Sequence, residues 1–197
     1  QTGSLSTSDF NIERLYTKNG LPNDKIQNII IQNDDVWVIT QKAGILKLAY
    51  NFEQNFVKKI NRFNRNNGIK NQQITTSLLY KKKIWYGTKS GDIGNIDNEK
   101  VTHYARILSR NTTINNLIFS DKNLYIGTLE NGVWKVSLSK IKNVKQIEST
   151  YLSSKISNQL YLDSKNHLWM GSEKGVDKIE FHNNEVSKST FSTCGNR

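Results

Sequence analysis

Two carboxylates, Asp163 and Glu173, are the residues whose types could form a catalytic pair. Glycoside hydrolysis uses two carboxyl groups, one as a general acid and the other as a base or nucleophile. Each residue also has a structural explanation, because both stand in polar segments between apolar runs. Their types and spacing therefore do not by themselves predict catalysis.

Other chemical motifs are equally weak. The segment Gly91-Asp92-Ile93-Gly94 has glycines that could approach a phosphate, but it lies in a predicted turn and strand. Dinucleotide, phosphate-loop, zinc-protease and nucleophile-elbow motifs do not occur. The three histidines show no ligand spacing, and Cys194 is the single cysteine. The sequence predicts no enzyme activity, no cofactor and no metal site.

The net charge of +11 raises the question of a polyanionic partner. The lysines are scattered over most turns, and the densest run is Lys81-Lys82-Lys83. We interpret this run as a solvated turn and expect no nucleic-acid partner. No apolar run approaches the roughly 18 residues of a membrane helix, and the first residues do not resemble a signal peptide. We expect no membrane segment in this chain.

The elements that must position any site come from a sequence repeat found four times. Each copy has an aromatic residue between apolar ones, a Gly two residues later in three copies, and a second Gly beyond it. The aromatic anchors stand at 37, 85, 125 and 169, so the spacings are 48, 40 and 44 residues, within the range of propeller blades. The anchors and their glycines are Trp37, Trp85, Tyr125, Trp169, Gly87, Gly127 and Gly171.

Four short stretches of strand character, A to D, make up each copy, with the anchor on strand B. Apolar spacing of 3.6 residues is not sustained anywhere, so we expect no long helix. The pattern predicts an all-β chain of four four-stranded antiparallel repeats, the blades of a β-propeller. The predicted blades are 18–60, 66–105, 110–148 and 152–192. The alternative fold is a linear β-solenoid, whose repeats are usually shorter.

The anchor and its glycine have physical roles. A Trp or Tyr on strand B can pack between neighbouring sheets. Glycine has no Cβ, so the strand can approach another closely there or form a bulge. One sheet cannot bury both faces alone, and stacking copies around an axis solves this problem.

The segment Asp163 to Val176 resembles the two-component regulator propeller repeat, whose phrase is Asp-x-x-Gly, Leu-Trp-Ile-Gly-Thr and then Gly-Leu. Asp121 to Val133 matches it almost as well, and Gly20 to Ile26 resembles the lead-in of the family. The first copy departs at Ile39, where Gly is expected, and the second lacks the Asp of the A-to-B turn. The resemblance covers roughly residues 10 to 192. It implies a periplasmic or otherwise extracytoplasmic sensor propeller of a hybrid histidine kinase, often sensing glycans. The motif itself carries no catalytic residue.

In such a propeller, the D-to-A and B-to-C loops meet on one face of the ring. Their amide and charged side chains suit polyhydroxylated or anionic ligands. We expect the ligand-binding residues to come from these loops: Asn23, Asp24, Lys42, Asn71, Gln72, Lys89, Arg110, Asn131, Lys155 and Glu173.

The number of D-like stretches predicts an incomplete ring. Residues 10–16 occupy the place of a D strand before the first copy, and Val186 to Phe191 form one after the fourth. We therefore expect part of a larger propeller of about seven blades, in which 10–16 completes a neighbouring or closing blade. Exposed end blades invite self-association.

The functional hypothesis is a non-enzymatic ligand-sensing module for a carbohydrate-like or other polar ligand. One alternative is a scaffold for protein partners, since propellers often present a flat binding face. Another alternative is a propeller lyase or glycosidase. Exposed apolar residues clustered on the D-to-A face would favour a protein partner, and a polar pocket would favour a small ligand.

Overall fold

The computed structural model describes residues 15, 17–22, 25–51, 53, 56–104, 112–139, 144–146, 152–182 and 185–192. Within these ranges the regular secondary structure is β-strand, apart from short 3-10 turns at Thr17–Asn19 and Arg65–Asn67. The strands form four separate four-stranded sheets, each a meander of consecutive antiparallel strands.

Each sheet corresponds to one copy of the sequence repeat. Repeat 1 contains β1 (Ile26–Gln32), β2 (Asp35–Thr40), β3 (Ile45–Asn51) and β4 (Phe56–Phe63). Repeat 2 contains β5 (Ile74–Tyr80), β6 (Lys83–Thr88), β7 (Ile93–Asp97) and β8 (Lys100–Tyr104). Repeat 3 contains β9 (Ile114–Phe119), β10 (Asn123–Thr128), β11 (Val133–Ser137) and β12 (Val144–Gln146). Repeat 4 contains β13 (Gln159–Leu162), β14 (Leu168–Ser172), β15 (Gly175–His182) and β16 (Glu185–Ser192).

The hydrophobic core lies between successive sheets rather than within one. Trp37 and Ile39 of repeat 1 pack with Ile84 and Tyr86 of repeat 2 in one buried cluster. Trp85 in the same way joins a cluster with β9 and β10, and Tyr125 joins one with β13 and β14. The aromatic anchor of each repeat therefore packs against the next repeat along the chain.

Trp169 differs from the other anchors. Trp37, Trp85 and Tyr125 are buried, whereas Trp169 in the last repeat is only half-buried. Its neighbour across the sheet, Lys178, holds its ammonium 5.7 Å from the indole centre. Lys47 stands in the same relation to Trp37, at 5.6 Å, so a cation–π pair recurs at this position.

The glycine beside the anchor allows close approach between sheets. A Cβ built on Gly87 would lie 2.5 Å from Cγ2 of Ile114 in repeat 3. At Gly127 a Cβ would collide with the Ser157 side chain of repeat 4. At Gly171 the nearest atom would be the Gln159 carbonyl oxygen at 4.0 Å. The close packing at Gly87 and Gly127 is the role expected from the sequence.

Strand A of repeat 4 begins later than its apolar run suggested. The run starts at Ile156, but β13 starts at Gln159. The Ser157 amide donates instead to the Thr128 carbonyl of repeat 3, at 2.8 Å. The Asn115 and Asn116 side chains donate to the Ser157 carbonyl. The Ser157 backbone therefore connects two repeats and is not available to pair with β14.

The prediction of an all-β chain of propeller-type sheets is confirmed. The prediction that 10–16 is a D strand lies outside the described residues, except for Leu15. The boundaries of the single domain, and a ring of about seven blades, stay predictions.

Candidate functional site

The lead-in to strand A and the B-to-C turn of the same repeat lie side by side. The amides of Gln41, Lys89 and Leu129 donate to the carbonyls of Lys25, Gln73 and Thr113 at 2.9, 2.9 and 3.1 Å. Neighbouring repeats also meet here, because the Gly132 amide donates to the Lys155 carbonyl at 2.7 Å. This loop surface is the one on which the sequence places the ligand site.

Several predicted site residues on this surface hold their own loops together. The Asn71 amide donates to the Ser90 hydroxyl at 2.5 Å. The Asn131 amide donates to the Thr112 hydroxyl at 2.8 Å. The Ser154 hydroxyl donates to Glu173 at 2.5 Å and holds the pKa of that carboxyl below its usual value. In repeats 2, 3 and 4, then, a side chain of the lead-in is bonded to a side chain of the B-to-C turn.

The remaining predicted residues are less constrained. Lys42, Lys89 and Lys155 are exposed, and Gln72 is half-buried. None of these four residues lines the polar cleft described below. Asn23, Asp24 and Arg110 lie outside the described residues.

The glycine-flanked Asp92 has a structural role. Its carboxylate is buried and accepts hydrogen bonds from Ser90 at 2.5 Å and Thr88 at 3.4 Å. Nε2 of His103 lies 3.9 Å from its other oxygen. The carboxylate accepts hydrogen bonds within the β6–β7 turn. A phosphate group would therefore meet a negative charge there, where it needs amide donors.

Asp163 and Glu173 are not brought together. Asp163 precedes β14 and Glu173 follows it, so the whole strand separates them. Five residues at roughly 3.3 Å each make β14 about 17 Å long, and the two residues lie beyond its opposite ends. Glycosidase pairs are separated by about 5 to 9.5 Å. The pair does not have the geometry for glycoside hydrolysis.

A polar cleft of about 530 Å³ lies at the opposite edge of the sheets, between repeats 3 and 4. Three segments line most of it: the β9–β10 turn, the β13–β14 turn and the end of β15. Tyr125 and Lys135 complete the wall. The lining residues are Ser120, Asp121, Lys122, Asn123, Tyr125, Lys135, Lys165, Asn166, His167, Glu180, Phe181 and His182.

Lys135 is the most buried charge of the cleft. It is only 9% exposed, and its ammonium lies 4.4 Å from the Phe181 ring centre and 6.0 Å from that of Tyr125. The two rings stack at 5.4 Å, and burial raises the pKa of Tyr125. Aromatic faces stabilise an ammonium group in this position. The Lys135 side chain therefore joins repeat 3 to repeat 4 in the wall of the cleft.

Sequence reasoning missed this cleft because it belongs to no repeat. Its walls come from chain segments about 40 residues apart that meet only when repeats 3 and 4 pack. The one available signal was the longer A-to-B turn of repeat 4, Asp163 to His167, which is also the best match to the repeat phrase.

Within the described ranges, no three His, Cys, Asp or Glu side chains are close enough to hold a metal ion. Among the same residues, no helix has the length and apolar character needed to cross a membrane.

The chain was compared with known proteins. No protein-family model matches it, and no curated protein matches it. Solved structures do match. The extracellular domain of the putative hybrid two-component system BT3049 from B. thetaiotaomicron superimposes with a TM-score of 0.69 at 21% identity. The match covers 88% of this chain and 24% of that one.

Two further structures have similar architecture. The extracellular domain of the putative one-component system BT4673 from B. thetaiotaomicron gives a TM-score of 0.64 at 20% identity, over 88% of this chain and 23% of that one. A catalytically inactive virginiamycin B lyase from Staphylococcus aureus gives a TM-score of 0.64 at 14% identity, over 91% of this chain and 59% of that one. This chain spans about a quarter of the length of the two bacteroidal domains. The four sheets are thus blades of a β-propeller, similar to those of extracellular domains of signalling proteins.

Proposed function

We propose that this chain is part of a ligand-sensing propeller of a two-component signalling protein, located outside the cytoplasm. In this proposal it binds a carbohydrate-like or other polar ligand and catalyses no reaction. The observation that carries the proposal is the likeness to the extracellular domain of a hybrid two-component system over 88% of the chain. The repeat phrase at Asp163 to Val176 independently points to the same class.

The surface chemistry supports a polar ligand. Large apolar residues are exposed at six described positions, and Ile156 alone of these lies in a D-to-A lead-in. The cleft between repeats 3 and 4 is lined mainly by hydroxyl, amide and charged side chains. Hydroxyl-rich ligands are recognised by such donors and acceptors. A protein-binding scaffold would instead need a clustered apolar patch on the loop surface.

A glycan array combined with a thermal-shift screen tests the proposal. Binding of a glycan, with a rise in Tm that grows with its concentration, would support it. If no glycan binds and one protein is captured specifically, the scaffold alternative replaces it. If the bound glycan is cleaved during incubation, detected as new reducing ends, the non-enzymatic part of the proposal is wrong.

A further inference from the structure

The charge of the cleft between repeats 3 and 4 specifies its ligand more narrowly. Lys122 and Lys165 are exposed at its rim, one from each repeat, and Lys135 lies in its wall. Of the two carboxylates in the lining, Glu180 lies 2.6 Å from Lys178, which is outside the cleft. Asp121 is the other, and it is exposed to solvent. The exposed lysines of the cleft therefore outnumber its exposed carboxylate by two to one.

The polar groups and the volume of the cleft suit a small polar molecule. Ser120, Asn123 and Asn166 bring hydroxyl and amide groups to the same cleft. Its volume of about 530 Å³ lies within the usual range for small-molecule sites. Charge-assisted bonds from lysine are among the stronger contacts that a carboxylate or sulfate can make.

We propose that this cleft binds an acidic saccharide, with Lys122 and Lys165 contacting its anionic groups. The proposal rests on the sensing function proposed above and gives that function a site. The site lies on the edge of the sheets opposite to the loops where the sequence places it.

Isothermal titration with an oligogalacturonate, and with a neutral galacto-oligosaccharide of the same length, tests the proposal. We expect the double variant Lys122→Ala/Lys165→Ala to bind the acidic probe at least about tenfold more weakly. The matched control is Lys59→Ala/Lys100→Ala, which removes two exposed lysines from repeats 1 and 2, away from the cleft, and should leave the affinity unchanged. All four side chains are exposed, so both variants should fold.

The other outcomes are decisive too. Equal losses in the two double variants would mean attraction to a basic surface, and a loss only in the control would move the site to repeats 1 and 2. Either result overturns the proposal that the acidic saccharide binds in the cleft. If the chain binds neutral glycans but not the acidic probe, the cleft proposal fails and the sensing function stands. If no glycan binds at all, both fail.

Discussion

The indole Nε1 of Trp169 donates a 3.0 Å hydrogen bond to Oδ2 of Asp163, the oxygen that also lies 2.8 Å from Nδ1 of His167. The other carboxylate oxygen accepts from the amides of Lys165 and His167, both at 2.9 Å. These donors, the Trp169 indole first, hold the pKa of Asp163 well below its ordinary value. The carboxylate therefore ties the A-to-B turn of repeat 4 to its anchor.

Replacing Asp163 by Asn should destabilise the chain at neutral pH, because the amide NH2 would face groups that are themselves donors. The native pKa is lowered, so the stabilisation is present above the unfolded-state pKa of about 3.9 and is lost as the pH falls further. Urea unfolding at a series of pH values should show wild type and Asp163→Asn converging in acid.

The matched control is Asp121→Asn. Asp121 occupies the corresponding turn of repeat 3 and is exposed, and its carboxylate has no hydrogen bond among the described residues. It should change the unfolding free energy little at any pH. A constant difference between wild type and Asp163→Asn down to acid pH would contradict the role given to the carboxylate.

Most of the fold could be predicted from the sequence because each repeat has the same local signals. Alternating apolar strands, polar turns and the anchor–glycine pair occur in phase, so strand B of each copy was located to within a residue or two. The start of β13 was not, because the Ser157 amide bonds to a neighbouring repeat. Such competition between partners depends on packing and leaves no local pattern.

The candidate site was harder to predict for the same reason. Loops that share a face follow from strand order alone, and those loops do meet. Asn71 and Asn131 form hydrogen bonds within their own loops. Whether a side chain forms such a bond depends on distances of a few ångströms. The cleft between repeats 3 and 4 depends on how two sheets pack, which the sequence of either repeat does not contain.

The glycines beside the anchors should differ in their tolerance to substitution. Gly87→Ala should lower the free energy of unfolding by about 1–3 kcal/mol, because the new methyl group meets Ile114 of the next sheet. Gly171→Ala adds the same group at the same repeat position in open space, and should be neutral or stabilise by up to about 0.5–1 kcal/mol. Chemical denaturation measures both. Equal effects would show that Gly87 is required for a reason other than contact between sheets.

A glycine substitution in the β5–β6 turn should increase the stability of the chain. Lys81 and Lys82 both have positive φ angles, 48° and 62°, in a two-residue hairpin that favours Asn-Gly. Lys82→Gly should raise the free energy of unfolding by about 1 kcal/mol by removing a left-handed lysine. Lys122→Gly, in the β9–β10 turn where φ is not positive, should be neutral or slightly destabilising. A loss of stability in Lys82→Gly would contradict this account.

The Tyr86 side chain lies in the core between repeats 1 and 2. Tyr86 is 1% exposed, and its hydroxyl has no hydrogen-bond partner among the described residues. An unsatisfied buried hydroxyl costs about 1–3 kcal/mol, so Tyr86→Phe should raise the free energy of unfolding by about 1 kcal/mol. Tyr80→Phe is the matched control. It removes a hydroxyl that donates to the Ser120 carbonyl at 3.1 Å, and it should lower stability by about 0.5–1.5 kcal/mol.

Alkaline pH should enlarge the difference between wild type and Tyr86→Phe. Burial, with the nearby Asp92 carboxylate, raises the native pKa of Tyr86 above its ordinary value of 10.0. Above that pH the unfolded chain releases the phenol proton while the native chain retains it, so wild-type stability falls as the pH rises. Tyr86→Phe removes this contribution. Urea unfolding just below and just above pH 10 measures it, and parallel pH profiles for the two proteins would show that the Tyr86 phenol is not buried in the native state.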